Sequence, residues 1–364
     1  MKITRVEAIP LSIPYTYGGS GYRLGASARQ VLDFCLVRVE TEDGLVGWGE
    51  AFAYSSRSAV CAAVRDMVAP LALGHDAADI AGLGYKLQQS LHIFGRYGIT
   101  MHALSGLDIA LWDIAGKRAG KPLHQLLGGA ARVTIPAYAS LLRYADKALV
   151  AQHAARAVTQ GFAAIKLHEI DESVIAAARA AVPASVPLMF DVNCPWAPDE
   201  AQAICARLAA HGPHWIEEPV FPPEDFAGLK KVREGARVSL AAGENWCTAT
   251  QFLQALDAGA VDIVQPSVTK VGGVSEFVKV VSLAQARGVR VAPHSPYFGP
   301  GAIATLHLLT TLALPAWFEL FYLDAEASLY GDALKPVNGA MTVPQGPGLG
   351  HEPDAGVIAR YRCD

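Results

Sequence analysis

The sequence predicts an α/β protein: a (β/α)8-type barrel behind an α+β N-terminal capping domain. Three observations carry this. From Val133 onward, eight short apolar runs alternate with helical stretches. The residues before them show strands and then helices, without alternation. Finally, Asp191, Glu217 and Glu244 end three successive apolar runs at steps of about 26 and 27 residues. That step is close to the repeat of a barrel dividing roughly 250 residues by eight.

Composition bounds the rest. The chain has 364 residues, 52% apolar and 18% charged, which suits a buried parallel sheet wrapped in helices. A net charge of −4 with no Lys/Arg run gives no footprint for nucleic acid or an anionic membrane. Cys35, Cys61, Cys194, Cys205, Cys247 and Cys363 are scattered without a Cys-x-x-Cys pair, as in reduced cytoplasmic proteins. The N-terminus lacks the apolar run of a signal peptide. Gly301 to Phe318 is the most apolar stretch, but Thr305, His307, Thr310, Thr311 and Pro315 interrupt it. It reads as a buried helix leading into a strand, not a membrane span. The expectation is a soluble, cytoplasmic protein.

Residues 1–128 form the expected capping domain. Thr4–Ile13, Val31–Glu40 and Val46–Glu50 alternate like half-buried strands, with Gly44 and Gly47 marking a turn. Between the first two lies Tyr15-Thr-Tyr-Gly-Gly-Ser-Gly-Tyr22. Its glycines and tyrosines suit either a mobile lid near 15–25 or a long ordered hairpin loop. Met101 to Ala119 places Leu104, Leu107, Ile109, Leu111, Trp112 and Ile114 in a mostly buried helix ending near Gly120.

Residues 129–329 form the expected barrel. Its strands are Val133–Tyr138, Ala163–Leu167, Pro187–Val192, His214–Glu218, Ser239–Gly243, Val261–Gln265, Val289–Pro293 and Ala316–Leu320. Helices over Ala145–Gln160, Asp199–Ala210, Ala249–Ala258 and Val274–Arg287 separate some of them. Residues 330–364, rich in Pro and Gly, are expected to be irregular and to pack back on the cap.

Strand ends of such a barrel share one mouth, where three crowded carboxylates would not all stay ionised unaided. A hard divalent cation with oxygen ligands resolves that conflict, so the spacing predicts a metal site. Strand period two puts Lys166 and His168 on one face, and likewise Asp191 and Asn193. Glu217 and Glu218 must diverge, so one of them is the ligand and the other belongs to the wall.

Several motifs stand in order: Leu107-Asp-Ile-Ala-Leu-Trp-Asp-Ile114, Gly120-Lys-Pro-Leu123, Gly128-Gly129, Lys166-Leu-His168, Asp191-Val-Asn193 and Trp215-Ile-Glu-Glu-Pro219. Gly243-Glu-Asn-Trp246, Lys270-Val-Gly-Gly273 and Ala292-Pro-His294 follow. Together they resemble the mandelate racemase/muconate lactonizing enzyme family of the enolase superfamily over nearly the whole chain. The resemblance implies an enolase-like, modified barrel, Mg²⁺ held by Asp191, Glu217 and Glu244, and proton removal α to a carboxylate. It makes Lys166, His168, His294 and Glu319 the expected catalytic residues.

The shared step leaves an enediolate, which a Lewis-acidic cation and preorganised donors stabilise. Lys166 supplies a fixed positive charge. Glu319, if its apolar neighbours Trp317 and Phe318 raise its pKa, donates a hydrogen bond to the same oxygen. His168 stands where the family commonly has a second Lys as base, and imidazole suits that task near neutral pH. His294 ends the seventh strand, opposite the second. The family's acidic partner for this His, or the Lys of its cycloisomerases, is here Ser267, so His294 is expected to be less basic: a general acid or a substrate contact. Asn193, Lys270, Tyr22 and Tyr54 are the expected substrate contacts, with Arg23 and Arg57 available to a second carboxylate. Tyr15, Tyr17, Phe52 and Tyr297 either line a distal pocket or pack the cap against the barrel.

The leading reading is an Mg²⁺-dependent lyase that dehydrates an acid sugar, a small-molecule carboxylate, in a homo-oligomer. The alternatives are a racemase or epimerase acting α to a carboxylate, a Schiff-base aldolase using Lys166, and a metal-binding barrel without turnover. The aldolase needs a neutral Lys, which neighbouring carboxylates oppose.

Overall fold

The computed structural model describes residues 1–19, 30–129 and 132–363. Tyr22, Arg23 and most of the expected lid lie outside the described residues. Strands β1 (Ile3–Thr16), β2 (Val31–Thr41) and β3 (Val46–Ala51) form an antiparallel sheet, extended beyond β1 by Asp324–Ala325. Alternation along β1 buries Ile9, Leu11, Ile13 and Tyr15.

The helix Ile99–Ala119 lies against this sheet and is buried nearly all round, ending at Gly120 in the left-handed region. Glycine makes the contact possible. A Cβ at Gly49 would lie 1.9 Å from Gly106 O, and one at Gly47 would lie 2.2 Å from Ala110 O. Strand and helix therefore meet backbone to backbone.

Eight parallel strands follow: β4 (Thr134–Leu141), β5 (Ala164–Leu167), β6 (Leu188–Asp191), β7 (Trp215–Glu217), β8 (Leu240–Ala242), β9 (Ile263–Val264), β10 (Arg290–Val291) and β11 (Phe318–Phe321). Each overlaps one of the apolar runs read from the sequence. Neighbours pair in chain order, and β11 returns beside β4. Among the described residues, a helix fills each of the seven connections. After β11 the chain instead crosses to the cap sheet through Asp324–Ala325. The barrel is thus a modified one, eight strands with seven helices.

Between β10 and β11 the ladder is interrupted, and a side chain bridges the seam. Ser295 Oγ accepts from Glu319 N at 3.2 Å and lies 3.3 Å from Glu319 O. Inside the barrel, period two generates layers. Tyr138, Ala164, Met189, Trp215, Ala241 and Ile263 form an apolar inner cluster, with Ala292 and Trp317 against it. Two residues further along each strand the inward positions are Ser140, Lys166, Asp191, Glu217, Gly243, Gln265, His294 and Glu319. This polar layer rests on an apolar floor.

Beyond Tyr330 the chain is less irregular than expected. Ala340–Thr342 pairs antiparallel with β4, and Ala355–Tyr361 is helical. Leu349 N donates to Asp113 Oδ1 of the long cap helix at 2.8 Å. No helix among the described residues is long and apolar enough to cross a membrane, and all six cysteines are free thiols.

Cap and barrel also join through Glu50 of β3. It accepts from Gly301 N at 2.8 Å, at the first turn of the barrel helix Pro300–Leu309. Burial pushes its carboxyl up to about 7.

Two stability predictions follow from these contacts. Gly49→Ala is expected to cost roughly 1–3 kcal/mol by overpacking. Gly84→Ala, in a helix with nothing within 4 Å of the new Cβ, should be neutral or stabilising. Thermal unfolding of both variants checks this, and equal melting temperatures would refute the backbone contact. For Glu50 the folded pKa lies above the unfolded one, so stability falls as pH rises from about 4.5 to about 7. Glu50→Gln should remove that loss, gaining on the order of 3 kcal/mol above pH 7 and nothing near pH 4. A gain of equal size at both pH values in denaturant titrations would contradict the assignment.

Candidate active site

Lys166 stands at the centre of the polar layer. Its Nζ lies 2.7 Å from Glu319 Oε1, 2.9 Å from Glu217 Oε1 and 3.2 Å from Asp191 Oδ2, with all four side chains essentially inaccessible. Burial alone would drive the ammonium toward neutrality. Glu217, Glu319 and Asp191 outweigh it and hold the pKa well above the usual lysine range. A neutral Schiff-base nucleophile is therefore not what this environment makes.

The same cation decides Glu319. Burial favours its neutral acid, but the ion pair with Lys166 prevails and its pKa is lowered. Ser140 Oγ donates to Oε1 at 2.8 Å and Ser295 N to Oε2 at 3.1 Å. Glu319 is thus an ionised acceptor surrounded by donors. This corrects the expected protonated donor: apolar sequence neighbours matter less than the lysine facing it across the barrel.

Asp191, Glu217 and Glu244 each offer a carboxylate oxygen, all within 4.8 Å of one another. The parity argument holds, since Glu217 points inward to Lys166 and takes Trp215 Nε1 at 3.0 Å. Glu218, at φ +47°, turns into the wall, where its Oε2 meets Asn245 Nδ2 at 2.9 Å and Cys194 Sγ at 3.4 Å. Gly243, at φ +132°, lets the chain swing Glu244 into the mouth; a Cβ there would lie 2.9 Å from Phe252 and 3.0 Å from Gln265 N.

The triad suits a divalent cation. Asp191 Oδ2 is buried, near Lys166 and His168 but without an aligned hydrogen-bond donor. Burial and the Asp191 charge push Glu217 well up, the penalty expected of crowded carboxylates. Against burial, His294 and Lys270 draw Glu244 down to about 2. Glu244 and Asp191 stay ionised, and an all-oxygen donor set of this kind fits a hard cation.

A histidine flanks each end of the triad. His168 Nε2 lies 3.2 Å from Asp191 Oδ2, while its Nδ1 faces Leu141 O at 2.7 Å. His294 Nε2 lies 2.8 Å from Glu244 Oε2. Ser267 does stand behind His294, its Oγ 3.2 Å from Nδ1, and Tyr297 Oη is equally close at 3.2 Å.

The expected substrate contacts divide. Asn193 Nδ2 donates to Asp191 Oδ1 at 2.8 Å, so it orients a triad member. Lys270 Nζ donates to Asn245 Oδ1 at 2.9 Å and sits 4.7 Å above the Phe52 ring, which bridges cap and barrel. Tyr54 donates to Pro296 O, and its ring packs at a tilt against Phe52 and Tyr297 at this interface. Arg57 is taken by Asp33. Tyr15 and Tyr17 are buried, with Tyr17 against Tyr144. Sequence reading missed Ser140, Ser295 and Gln265. Gln265 is fully buried with neither amide atom partnered among the described residues. Strand parity was the available signal, since Ser140 and Gln265 lie two residues beyond the inward Tyr138 and Ile263.

Comparison with known proteins identifies the family. The N-terminal domain family of mandelate racemase/muconate lactonizing enzyme matches residues 21–128, and the enolase C-terminal domain-like family matches residues 149–357. D-galactarolactone cycloisomerase of Agrobacterium fabrum is 34% identical, covering 90% of either chain. Arabinonate dehydratase of Saccharolobus solfataricus is 33% identical, covering 92% of either chain. A racemase of Streptomyces coelicolor A3(2), solved with bound magnesium, superposes with a TM-score of 0.85 at 30% identity over 99% of this chain and 100% of that one. The chain belongs to the mandelate racemase/muconate lactonizing enzyme family and is an enzyme of the enolase superfamily.

Proposed function

We propose that the protein is an Mg²⁺-dependent acid-sugar dehydratase, with Asp191, Glu217 and Glu244 holding the cation. The observation that carries this is the pair of histidines at opposite ends of the carboxylate triad, 3.2 Å from Asp191 and 2.8 Å from Glu244. A cation in the triad would supply Lewis-acid stabilisation of the substrate carboxylate as negative charge builds on it.

The protein's own groups do the rest. Lys166 adds a fixed positive charge, preorganised by the carboxylates around it. Leu141 O accepts from His168 Nδ1–H, which leaves Nε2 to take the α-proton. The C–H electron pair moves into the carboxylate to give an enediolate. Its return to carbon expels the β-hydroxyl, which takes a proton from His294 Nε2 and leaves as water. The resulting enol of a 2-keto acid tautomerises to the 2-keto-3-deoxy acid. Glu319 stays an acceptor throughout and holds Lys166 in place.

Names among the relatives support this class, including arabinonate dehydratase and a D-gluconate dehydratase of Thermoproteus tenax. The cycloisomerase relative favours a second reading, in which the same proton removal leads to isomerisation without loss of water.

Proton NMR of a panel of acid sugars in D₂O with Mg²⁺ discriminates the readings. Loss of the α-proton signal with a new keto-acid product is expected, and His168→Ala should slow it by about 10²-fold or more. Exchange without a new product would replace the lyase reading by epimerisation, and full turnover in His168→Ala would remove His168 as base. Calorimetry addresses the metal independently of substrate. Asp191→Asn should weaken Mg²⁺ binding at least about tenfold; unchanged affinity would disqualify the triad.

A further inference from the structure

Gln265 carries a primary amide where the protein gives it nothing to bind. Its side chain is fully buried, and neither Oε1 nor Nε2 has a hydrogen-bond partner among the described residues. An orphaned buried donor or acceptor destabilises a fold, and a primary amide brings two donors and an acceptor. An apolar side chain of similar volume, such as Met, would fill the place without that penalty. Folding alone therefore does not account for the amide, and its natural complement is a ligand.

The register of the barrel explains both the isolation and the direction of this side chain. Parallel pairing sets Ala242 beside Val264 and Val264 beside Val291, so Gly243 and Ala292 flank Gln265. Neither offers a polar side chain. The backbone is pinned on both sides, with Gln265 N donating to Ala242 O and Ala292 N to Val264 O, each at 3.0 Å. Ile263 belongs to the apolar floor, so two residues on Gln265 points inward, into the layer of Lys166, Glu217 and Glu319. Four steps of the strand order separate β9 from β5, which sets Gln265 across the barrel from Lys166. Lys166 is engaged by three carboxylates. The amide is left for whatever enters between them.

Under the proposed function this layer receives the carboxylate end of the substrate, because it holds Lys166, Asp191 and Glu217. The amide thus meets the carboxylate and the carbon next to it. A carboxylate only accepts, so by itself it would satisfy Nε2 and leave Oε1 orphaned. A hydroxyl on the adjacent carbon supplies the missing proton. We propose that Gln265 is a substrate-binding residue that reads the α-hydroxyl of a 2-hydroxy carboxylate. Its Oε1 accepts the hydroxyl proton while its Nε2 donates to the neighbouring carboxylate oxygen. The assignment rests on the acid-sugar reading for the class of substrate. It makes the site select against carboxylates that lack the α-hydroxyl, because such a ligand leaves Oε1 unpaired. An amide does this without adding charge to a mouth already crowded with carboxyls.

Lactate and propionate test this, because they differ only in the α-hydroxyl and neither has a β-hydroxyl to lose. Proton NMR titration gives their affinities for the full-length protein in Mg²⁺, and thermal unfolding without ligand is measured alongside. Wild type should bind one enantiomer of lactate more tightly than propionate. In Gln265→Met that ratio should fall about tenfold, with propionate affinity kept within about threefold. The melting temperature of the variant should be no lower than that of wild type. Any preference for lactate that the cation confers is common to both proteins and cancels in the ratio. An unchanged ratio would overturn the proposal, as would a wild type that does not distinguish the two acids. A Met variant that melts lower or fails to fold would make the amide a structural group, and would equally overturn it. Loss of lactate selectivity in the variant, with no acid sugar dehydrated by wild type, would sink the dehydratase reading and leave the role of Gln265 standing.

Discussion

The ammonium of Lys166 among Asp191, Glu217 and Glu319 is the interaction on which the rest of the molecule depends. Removing any one of these charges would leave others buried without compensation, which is far more costly than losing an exposed pair. The barrel supplies the means to bury them. Its short strands bring Lys166, Asp191, Glu217 and Glu319 to one level, and Trp215, Met189 and Ala164 seal the floor beneath. Even the seam between the seventh and eighth strands is tied to this cluster, because Ser295 bridges it through Glu319.

A second chain of contacts brings the cap into the site. Phe52 N donates to Thr269 O at 3.2 Å, and the Phe52 ring lies under Lys270 Nζ. Lys270 then holds Asn245, whose amide donates to Glu218 at 2.9 Å and lies 3.3 Å from Glu244 Oε1. A displacement of the 52–54 loop would thus be felt at a triad carboxylate through three side chains. Lys270 and Asn193, the expected substrate contacts, are tied into the triad as well: Asn193 hydrogen-bonds Asp191, and Lys270 hydrogen-bonds Asn245 beside Glu244.

Much of this architecture is legible in sequence. The eight strands are apolar runs, and period two requires Glu217 and Glu218 to diverge, as they do. Parity also contained Ser140 and Gln265, which draw no attention because neither is charged. What local sequence does not carry is the identity of the partner across the barrel. Trp317 and Phe318 suggest a protonated Glu319, yet Lys166, on a strand distant in sequence, decides its charge. Tyr297 likewise looked like one aromatic of a pocket wall. Only the turn through Ser295 and Pro296 brings its hydroxyl back to His294.

Charge balance accounts for the departure at position 267. Two ammonium groups, Lys166 and Lys270, face five carboxyls: Asp191, Glu217, Glu218, Glu244 and Glu319. Burial and Glu244 already push Glu218 well up. A divalent cation in the triad would bring this group near neutrality, and a substrate carboxylate would return one negative charge to it. A sixth protein carboxyl behind His294 would have to be ionised in the same poorly solvated mouth, and would compete with that substrate charge for the available cations. Two hydroxyls orient the ring without adding charge.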